Sequence, residues 1–206
     1  MLYISDEVVT AFGRLGHWFA SEEVFGIVPD IITSAKGLTS GYLPLGAMMI
    51  SDRLLVEITS DDRENVLFSI GYTYSGHPAS CAAALKNIEI FESEGLLEHV
   101  RAVAPHFQER LRDLLKYEII GDARGMGLIG CIEGAAAPDM SESSRLAIDA
   151  EFGARVDAKC EEMGLIVRPL INMCVFSPPL IITKAQIDEM FDILETAVVQ
   201  VQEEML

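Results

Sequence analysis

Two side chains near the N-terminus have types and positions suited to chemistry. Lys36 follows the apolar segment 29–34 and precedes Gly37, so it stands where a predicted buried strand gives way to a turn. A lysine amine in its neutral form is a nucleophile that forms a Schiff base with a carbonyl group. Asp6 follows the strand-like segment 1–5. Taken alone, an aspartate in that place is more often a turn or cap residue, and a lysine in a loop is more often simply exposed to solvent.

The elements that must position these side chains alternate between strands and helices. In the first half of the chain the pattern predicts strands at 1–5, 29–34 and 45–50, helices at 18–25, 51–58 and 79–94, and a loop over 59–72. Pro78 suits the first turn of the third helix, and Gly95 suits its end.

The second half continues the alternation with shorter strands. A helix over 96–116 has apolar residues close to a 3.6-residue period. The pattern then predicts strands at 117–120, 128–133, 165–168 and 173–176, with helices at 144–163 and 183–203. Thr183 and Gln186 have the spacing of a capping box. The alternation predicts α/β packing, with a smaller α+β unit at the C-terminal end.

Composition narrows the class of protein and its partners. The chain has 206 residues, of which 50% are hydrophobic and 23% charged, as in soluble globular proteins. Its net charge of -17 repels phosphate backbones and anionic membranes, so we expect neither nucleic acid nor membrane as a partner. The four cysteines lack the spacing of a metal site, so we expect no metal and reduced thiols. These features, with no basic and apolar leader, predict a cytoplasmic protein.

Three stretches taken together resemble the class III (omega) aminotransferases, enzymes of fold type I that depend on pyridoxal 5'-phosphate. The first joins Asp6-Glu7-Val8 to Phe12-Gly13-Arg14, the second joins Pro29-Asp30 to Ala35-Lys36-Gly37-Leu38 and to 41–47, and the third spans 71–78. The likeness continues through 124–128 and 164–169 to the last helix. The motifs are closest to those of omega-amino acid:pyruvate aminotransferases.

The resemblance implies roles for three residues of the first half. Lys36 corresponds to the lysine that forms the Schiff base with the cofactor and then moves a proton between the substrate and the cofactor. Asp6 corresponds to the carboxylate that keeps the pyridine nitrogen of the cofactor protonated. Val8 corresponds to the valine that packs against the face of the cofactor ring. Residues 1–95 would then be the C-terminal part of the large cofactor-binding domain.

The resemblance also implies a shared active site and a carboxylate-binding residue. Thr73 corresponds to the threonine that binds the cofactor phosphate of the neighbouring subunit, which implies a homodimer. Arg168 corresponds to the arginine that binds a substrate carboxylate through a bidentate fork. Arg168 belongs to 96–206, which would be the small domain. Arg14 and Arg124 are expected to be structural.

The function implied is transfer of an amino group from an amine or omega-amino acid to a keto acid such as pyruvate. Family members have a long N-terminal half that these 206 residues lack, so we expect a C-terminal portion that binds cofactor poorly by itself. An aminomutase, racemase or decarboxylase would share Asp6 and Lys36. A further alternative is a non-catalytic chain that pairs with a separate N-terminal half.

Overall fold

A computed structural model describes residues 1–59, 70–135 and 141–206. The chain divides into two units, Met1–Glu98 and His99–Leu206. Most of the loop predicted over 59–72 lies outside the described residues. Of its described part, Thr59 is the last residue of a helix, and 70–72 have no regular secondary structure. The elements confirm the α/β class that the alternation of patterns predicts.

The first unit is built on a three-stranded mixed sheet. Strand β1 (Ile4–Asp6) pairs in parallel with β2 (Ile31–Ser34), and β2 pairs antiparallel with β3 (Ala47–Ile50). In the part of the chain that the structure describes, the strand order is β1-β2-β3. Because β1 and β2 are parallel and adjacent, their carboxyl ends meet at the same edge of the sheet.

The first unit also contains three helices of very different length. They are α1 (Ala20–Glu23), α2 (Asp52–Thr59) and α3 (Pro78–Ser93), and a single 3₁₀ turn spans Lys36–Leu38. The prediction of a helix over 18–25 is wrong in extent, because Phe19 has an extended backbone and the helix has ended before Gly26, which has a φ of 65°. Pro78 does occupy the first turn of α3, as predicted.

The second unit has an antiparallel sheet and three long helices. The strands are β4 (Ile120–Met126), β5 (Ile129–Gly134), β6 (Arg168–Leu170) and β7 (Met173–Phe176), in the order β4-β5-β7-β6. The helices are α4 (Leu96–Asp113), which continues as a 3₁₀ turn over Leu114–Lys116, α5 (Glu142–Glu162) and α6 (Lys184–Met205).

The core of the second unit explains why these segments fold as they do. Phe107 of α4, Phe152 of α5 and Phe191 of α6 are fully buried in one apolar cluster. The predicted capping box at the start of α6 is confirmed, since the Gln186 amide donates to the Thr183 hydroxyl and the Thr183 amide donates to Gln186. Four exposed backbone groups at a helix start otherwise lack partners, and this pair satisfies two of them.

Two strands of this unit lie elsewhere than predicted. The strand predicted at 117–120 begins only at Ile120, because Tyr117 closes the 3₁₀ turn that follows α4. The strand predicted at 165–168 is instead Arg168–Leu170. It contains Pro169, which lacks an amide hydrogen, and it is tolerated because β6 is at the edge of the sheet.

Within residues 1–59, 70–135 and 141–206, no helix combines the length and the apolar character needed to cross a bilayer.

Candidate active site

Asp6 and the lysine turn lie at the same edge of the first sheet. Asp6 is the last residue of β1, and it pairs with Thr33 of the adjacent parallel strand. Lys36 follows Thr33 by three residues and opens the 3₁₀ turn beyond β2. The strand pairing therefore brings the carboxylate and the amine, which are far apart in sequence, to neighbouring strand ends.

The Asp6 carboxylate has one oxygen committed to the protein. Its Oδ1 accepts a hydrogen bond from the Val8 amide at 3.0 Å. Its Oδ2 has no donor among the residues that the structure describes, and the side chain is exposed. Val8 itself is half-buried in the turn that follows β1. Asp6 thus presents one free carboxylate oxygen at the edge of the sheet.

The lysine turn (residues 36–41) has an unusual backbone. Lys36 has a φ of 37° and Ser40 a φ of 48°, both in the left-handed region that residues with a Cβ rarely adopt. Between them, a Cβ on Gly37 would stand 2.9 Å from the Phe12 Cβ and 3.2 Å from the Phe12 carbonyl oxygen. Lys36 is exposed, whereas Ser34 just before it is buried. The amine is therefore accessible, on a turn whose backbone is tightly packed.

A residue that the sequence analysis missed holds this turn from α3. Asn87 is 9% exposed, and its side-chain Nδ2 donates to the carbonyl oxygens of Gly37 at 2.8 Å and Leu38 at 3.1 Å. Its Oδ1 accepts from the Ser40 hydroxyl at 2.8 Å. The signal available in the sequence is an asparagine at helical spacing from Ala84 and Phe91, three residues after one and four before the other.

A second missed residue is Glu7, directly after Asp6. Glu7 is 2% exposed, and its carboxylate accepts from the amides of Ala20 and Ser21, from the Ser21 hydroxyl and from the Thr10 hydroxyl. Burial by itself raises the pKa of Glu7, but these hydrogen bonds outweigh burial and hold its pKa below the usual 4.5. The ionised carboxylate thereby caps α1 and closes the glycine loop (residues 8–19) onto the end of β1.

The glycine loop is packed by aromatic rings. Phe12 meets Trp18 and Phe19 edge to face, with ring centroids 6.1 and 5.6 Å apart, and Trp18 lies 5.7 Å from Phe91 of α3. Arg14, expected to be structural, is partly buried in this loop, and burial lowers its pKa to about 10. The loop that contacts Gly37 is thus itself fixed against α3.

Thr73 lies in an exposed turn before α3. The turn is closed by hydrogen bonds from the Ser75 amide to the Tyr72 carbonyl and from the His77 amide to the Tyr74 carbonyl. The Thr73 hydroxyl has no hydrogen-bond partner among the described residues, and it forms no hydrogen bond with Asp6 or Lys36. The structure therefore does not join Thr73 to the edge that holds Asp6 and Lys36.

Arg168 lies in the second unit, at the start of β6. It lines a cleft of about 610 Å³ whose walls are mainly apolar and include Ile166, Phe176 and Met190. The polar side chains of Gln186 and Glu189 also line the cleft. The Arg168 guanidinium has no ion-pair partner in the part of the chain that the structure describes, and its side chain is exposed.

Arg124, also expected to be structural, is committed to a network on the second sheet. Its guanidinium donates to Asp122 at 2.5 Å and to Glu133 at 2.7 Å. Hydrogen bonds from Arg124 to these carboxylates raise its pKa above the usual value. The arginine joins neighbouring strands β4 and β5 rather than facing a ligand.

The four cysteines of the chain are spread over both units. Cys81, Cys131, Cys160 and Cys174 are all free thiols. Burial raises the pKa of Cys160 to about 12, which leaves the thiol protonated at neutral pH. Among the described residues there is no cluster of three or more histidine, cysteine or acidic side chains that could hold a metal ion.

An accessible amine beside a carboxylate at one edge of an α/β sheet is suited to carbonyl chemistry. Comparison with known proteins shows the family to which the chain belongs. The chain belongs to the class III aminotransferases, whose family model matches residues 1–198.

Named relatives and solved structures agree with this assignment. The chain is 39% identical over 191 residues to a putrescine–pyruvate aminotransferase from Pseudomonas aeruginosa, and 39% identical over 193 residues to a mitochondrial gamma-aminobutyrate transaminase from Solanum lycopersicum. These matches cover 92% and 94% of the chain. An aminotransferase from Vibrio fluvialis in its PMP-bound form superposes on 98% of the chain with a TM-score of 0.84 at 37% identity.

The chain spans only part of the length of these proteins. It covers 40% of the Pseudomonas enzyme, 37% of the tomato enzyme and 44% of the Vibrio structure. A thermostable (S)-enantioselective omega-transaminase from Thermomicrobium roseum is matched in the same proportion, with a TM-score of 0.85 at 36% identity.

Proposed function

We propose that the protein is a pyridoxal phosphate-dependent aminotransferase. It moves an amino group from an amine or omega-amino acid to a keto acid such as pyruvate. The observation that carries the proposal is the parallel pairing of Asp6 with Thr33, because it sets the Asp6 carboxylate and the Lys36 turn at one sheet edge. The names of two relatives, a putrescine–pyruvate and a gamma-aminobutyrate transaminase, support the substrate class.

The groups at this edge fit pyridoxal phosphate. Its pyridine nitrogen needs an acidic acceptor, and Asp6 offers Oδ2, which has no donor among the described residues. Its aldehyde needs an accessible primary amine, and Lys36 is exposed. Its apolar ring faces suit a side chain such as Val8, which follows Asp6 by two residues and is half-buried. When bound, the cofactor supplies a ring that withdraws electrons from the substrate carbon.

The residues of the chain then divide the work. Asp6 Oδ2 would accept a hydrogen bond from the protonated ring nitrogen and so keep the ring electron-withdrawing. Lys36 would hold the cofactor through Nζ, and its free amine would serve as the base and acid that moves the proton of the substrate α-carbon. Val8 would pack against the ring.

We further propose that two copies of the protein share their active sites. Thr73 supports this, because its exposed hydroxyl has no partner among the described residues. Thr73 also lies in the turn directly before α3, next to the backbone amides of that turn. A hydroxyl of this kind is a suitable donor to a phosphate group. In a homodimer, Thr73 would donate to the cofactor phosphate in the partner's site.

The cleft around Arg168 supports a role in substrate recognition. A guanidinium without an ion-pair partner among the described residues can take a carboxylate through two parallel hydrogen bonds. The apolar wall formed by residues such as Ile166 and Met190 suits the aliphatic part of a substrate. We propose that Arg168 binds the carboxylate of the omega-amino acid or of the keto acid.

The two units correspond, in this proposal, to parts of two domains. Residues 1–95 are the C-terminal part of the large cofactor-binding domain, and 96–206 are the small domain. We place the protein in the cytoplasm, which the free thiols support, because thiols stay reduced in that compartment.

The test is amino transfer to pyruvate by the full-length protein. The protein is loaded with pyridoxal phosphate and given putrescine or gamma-aminobutyrate with pyruvate, and alanine is measured. We expect alanine to form with the wild type and not with Lys36→Ala. Donor consumption without alanine would indicate an aminomutase, racemase or decarboxylase instead. Alanine formation only when a separate N-terminal half is added would make this 206-residue chain one part of a two-part enzyme.

A further inference from the structure

Both polar atoms of the Asn87 side chain form hydrogen bonds with the lysine turn. It lies on the buried face of α3 together with Ser80, Ala84 and Phe91. Both of its Nδ2 hydrogen bonds end on main-chain carbonyl oxygens of the turn, at Gly37 and Leu38, and the Ser40 hydroxyl donates to its Oδ1. A buried amide with both ends satisfied by one short segment fixes that segment in position.

The segment that Asn87 contacts is the one that needs to be fixed. Lys36 and Ser40 both have left-handed backbones, with φ of 37° and 48°. Residues in this region persist only where the surrounding structure holds them. Two hydrogen bonds within the turn are long, at 3.3 Å from the Thr39 amide to the Lys36 carbonyl and 3.3 Å from the Ser40 amide to the Gly37 carbonyl, whereas the Leu38 amide donates to the Ala35 carbonyl at 2.9 Å. Asn87 makes shorter hydrogen bonds to the same segment.

We infer that Asn87 is a positioning residue for Lys36. Its hydrogen bonds to the carbonyls of Gly37 and Leu38 connect the turn to α3 and hold Lys36 in its left-handed conformation. The backbone conformation in turn sets the direction in which the Lys36 side chain extends from the sheet edge. The part of the inference that concerns the cofactor rests on the proposed function. The part that concerns the turn rests on the three hydrogen bonds alone.

The chemistry of the amide gives a sharp choice of variants. Asn87→Asp keeps the shape and the acceptor for Ser40, but it removes both donors and places a carboxylate against two carbonyl oxygens. Ser40→Ala removes only the third hydrogen bond and leaves both Asn87 donors in place. Ser80→Ala is the matched control, because Ser80 is a buried polar residue on the same face of α3 and makes no hydrogen bond to the lysine turn among the described residues.

The experiment measures the turn first without cofactor. Amide hydrogen exchange of a peptide covering 36–41 is followed in the cofactor-free full-length protein. We expect exchange at least about tenfold faster in Asn87→Asp, since two buried hydrogen bonds are lost, and little change in Ser40→Ala or Ser80→Ala. If Asn87→Asp does not fold, Asn87→Ser, which keeps a single hydroxyl donor, is expected to give a smaller acceleration of the same peptide.

The second measurement asks whether the amine is affected. Pyridoxal phosphate is added, the adduct is reduced with borohydride at timed intervals, and modified Lys36 is quantified by mass spectrometry. We expect capture at least about tenfold slower in Asn87→Asp than in Ser80→Ala. Unchanged exchange and capture in Asn87→Asp, or equal changes in Ser80→Ala, would overturn the inference. Faster exchange in Asn87→Asp with no capture by wild-type Lys36 would leave the positioning role intact and overturn the proposed function.

Discussion

Gly37 lies so close to Phe12 that no larger residue fits between the lysine turn and the glycine loop. A Cβ at position 37 would stand 2.9 Å from the Phe12 Cβ, with the carbonyl oxygens of Phe12 and Ala11 at 3.2 and 3.3 Å. Two of these three atoms are main-chain atoms, and the third is fixed to the main chain, so none can swing away. The residue after Lys36 therefore transmits any change in the glycine loop to the lysine.

Gly37→Ala should displace Lys36. We expect the substitution to lower the free energy of unfolding by about 1–3 kcal/mol through overpacking, and to slow trapping of pyridoxal phosphate on Lys36. Thermal unfolding and borohydride trapping measure the two effects. Gly46→Ala is the control, because a Cβ there would meet only the Ser34 carbonyl oxygen at an ordinary 3.6 Å. Equal behaviour of the two variants would contradict the close approach.

Glu7→Gln should destabilise the protein at neutral pH by about 1–3 kcal/mol, because the NH2 that replaces one carboxylate oxygen would place a donor against the amide of either Ala20 or Ser21. Chemical denaturation at pH 7 measures the loss. Glu22→Gln, which changes an exposed carboxylate in the first turn of α1, should have little effect. A loss of the same size in both variants would mean that helix charge, rather than the buried hydrogen bonds, is responsible.

Glu7 should also give the protein a pH dependence. Its hydrogen bonds outweigh burial and hold its folded-state pKa below 4.5, so the stability due to its ionised form is complete above about pH 4.5. That stability is lost as the pH falls through the lowered pKa. Denaturation curves between pH 6 and pH 3, taken as about the range in which acidic side chains titrate, should show a shallower decline for Glu7→Gln than for the wild type.

Thr73 can be assigned to its own or to its partner's site with mixed dimers. Lys36→Ala and Thr73→Val should each be inactive or strongly impaired alone. If Thr73 serves the partner's site, a heterodimer of the two has one complete site, so an equal mixture should regain about a quarter of wild-type activity. No recovery after subunit exchange, checked by native mass spectrometry, would place Thr73 in its own subunit's site, whereas unchanged activity of Thr73→Val alone would place Thr73 outside any site.

Arg168→Ala should act only on substrates with a carboxylate. We expect kcat/KM for pyruvate to fall by about 10- to 100-fold, since hydrogen bonds to a charged group are worth about 1.5–3 kcal/mol. An aldehyde acceptor without a carboxylate should be used as well as before. Arg168→Lys keeps the charge but loses the bidentate fork, so its kcat/KM for pyruvate should lie between those of the wild type and Arg168→Ala. A similar loss with the aldehyde would indicate that Arg168 supports the fold of the cleft instead.

The sequence predicted the elements that hold Asp6 and Lys36 but not the residues that fix them. A reactive side chain at the end of an apolar, β-branched run can be found from a local pattern, and the parallel strands β1 and β2 contain both runs. Glu7 and Asn87 contact segments that are 14 and 50 residues away, so no local pattern includes both partners. Their one local sign is a polar residue in a position that packing would otherwise fill with an apolar one.

The misplaced strands have a related cause. The apolar run Leu165–Val167 predicts a strand, yet β6 begins only at Arg168 and includes Pro169. Proline lacks a hydrogen-bond donor, which disfavours it inside a sheet. Only the strand order reveals that β6 is an edge strand, where one side of the backbone needs no partner.

Gly37 and Asn87 are 50 positions apart in the sequence, and this separation determines when their hydrogen bond can form during folding. Closing so long a segment costs chain entropy before any contact is gained, so the hydrogen bonds of Asn87 form only after α3 exists and has docked. During synthesis, Lys36 leaves the ribosome before the residues of α3 do. The nucleophile is therefore made early but reaches its final conformation late, and a chain interrupted before residue 87 would contain the lysine without the anchor for its turn.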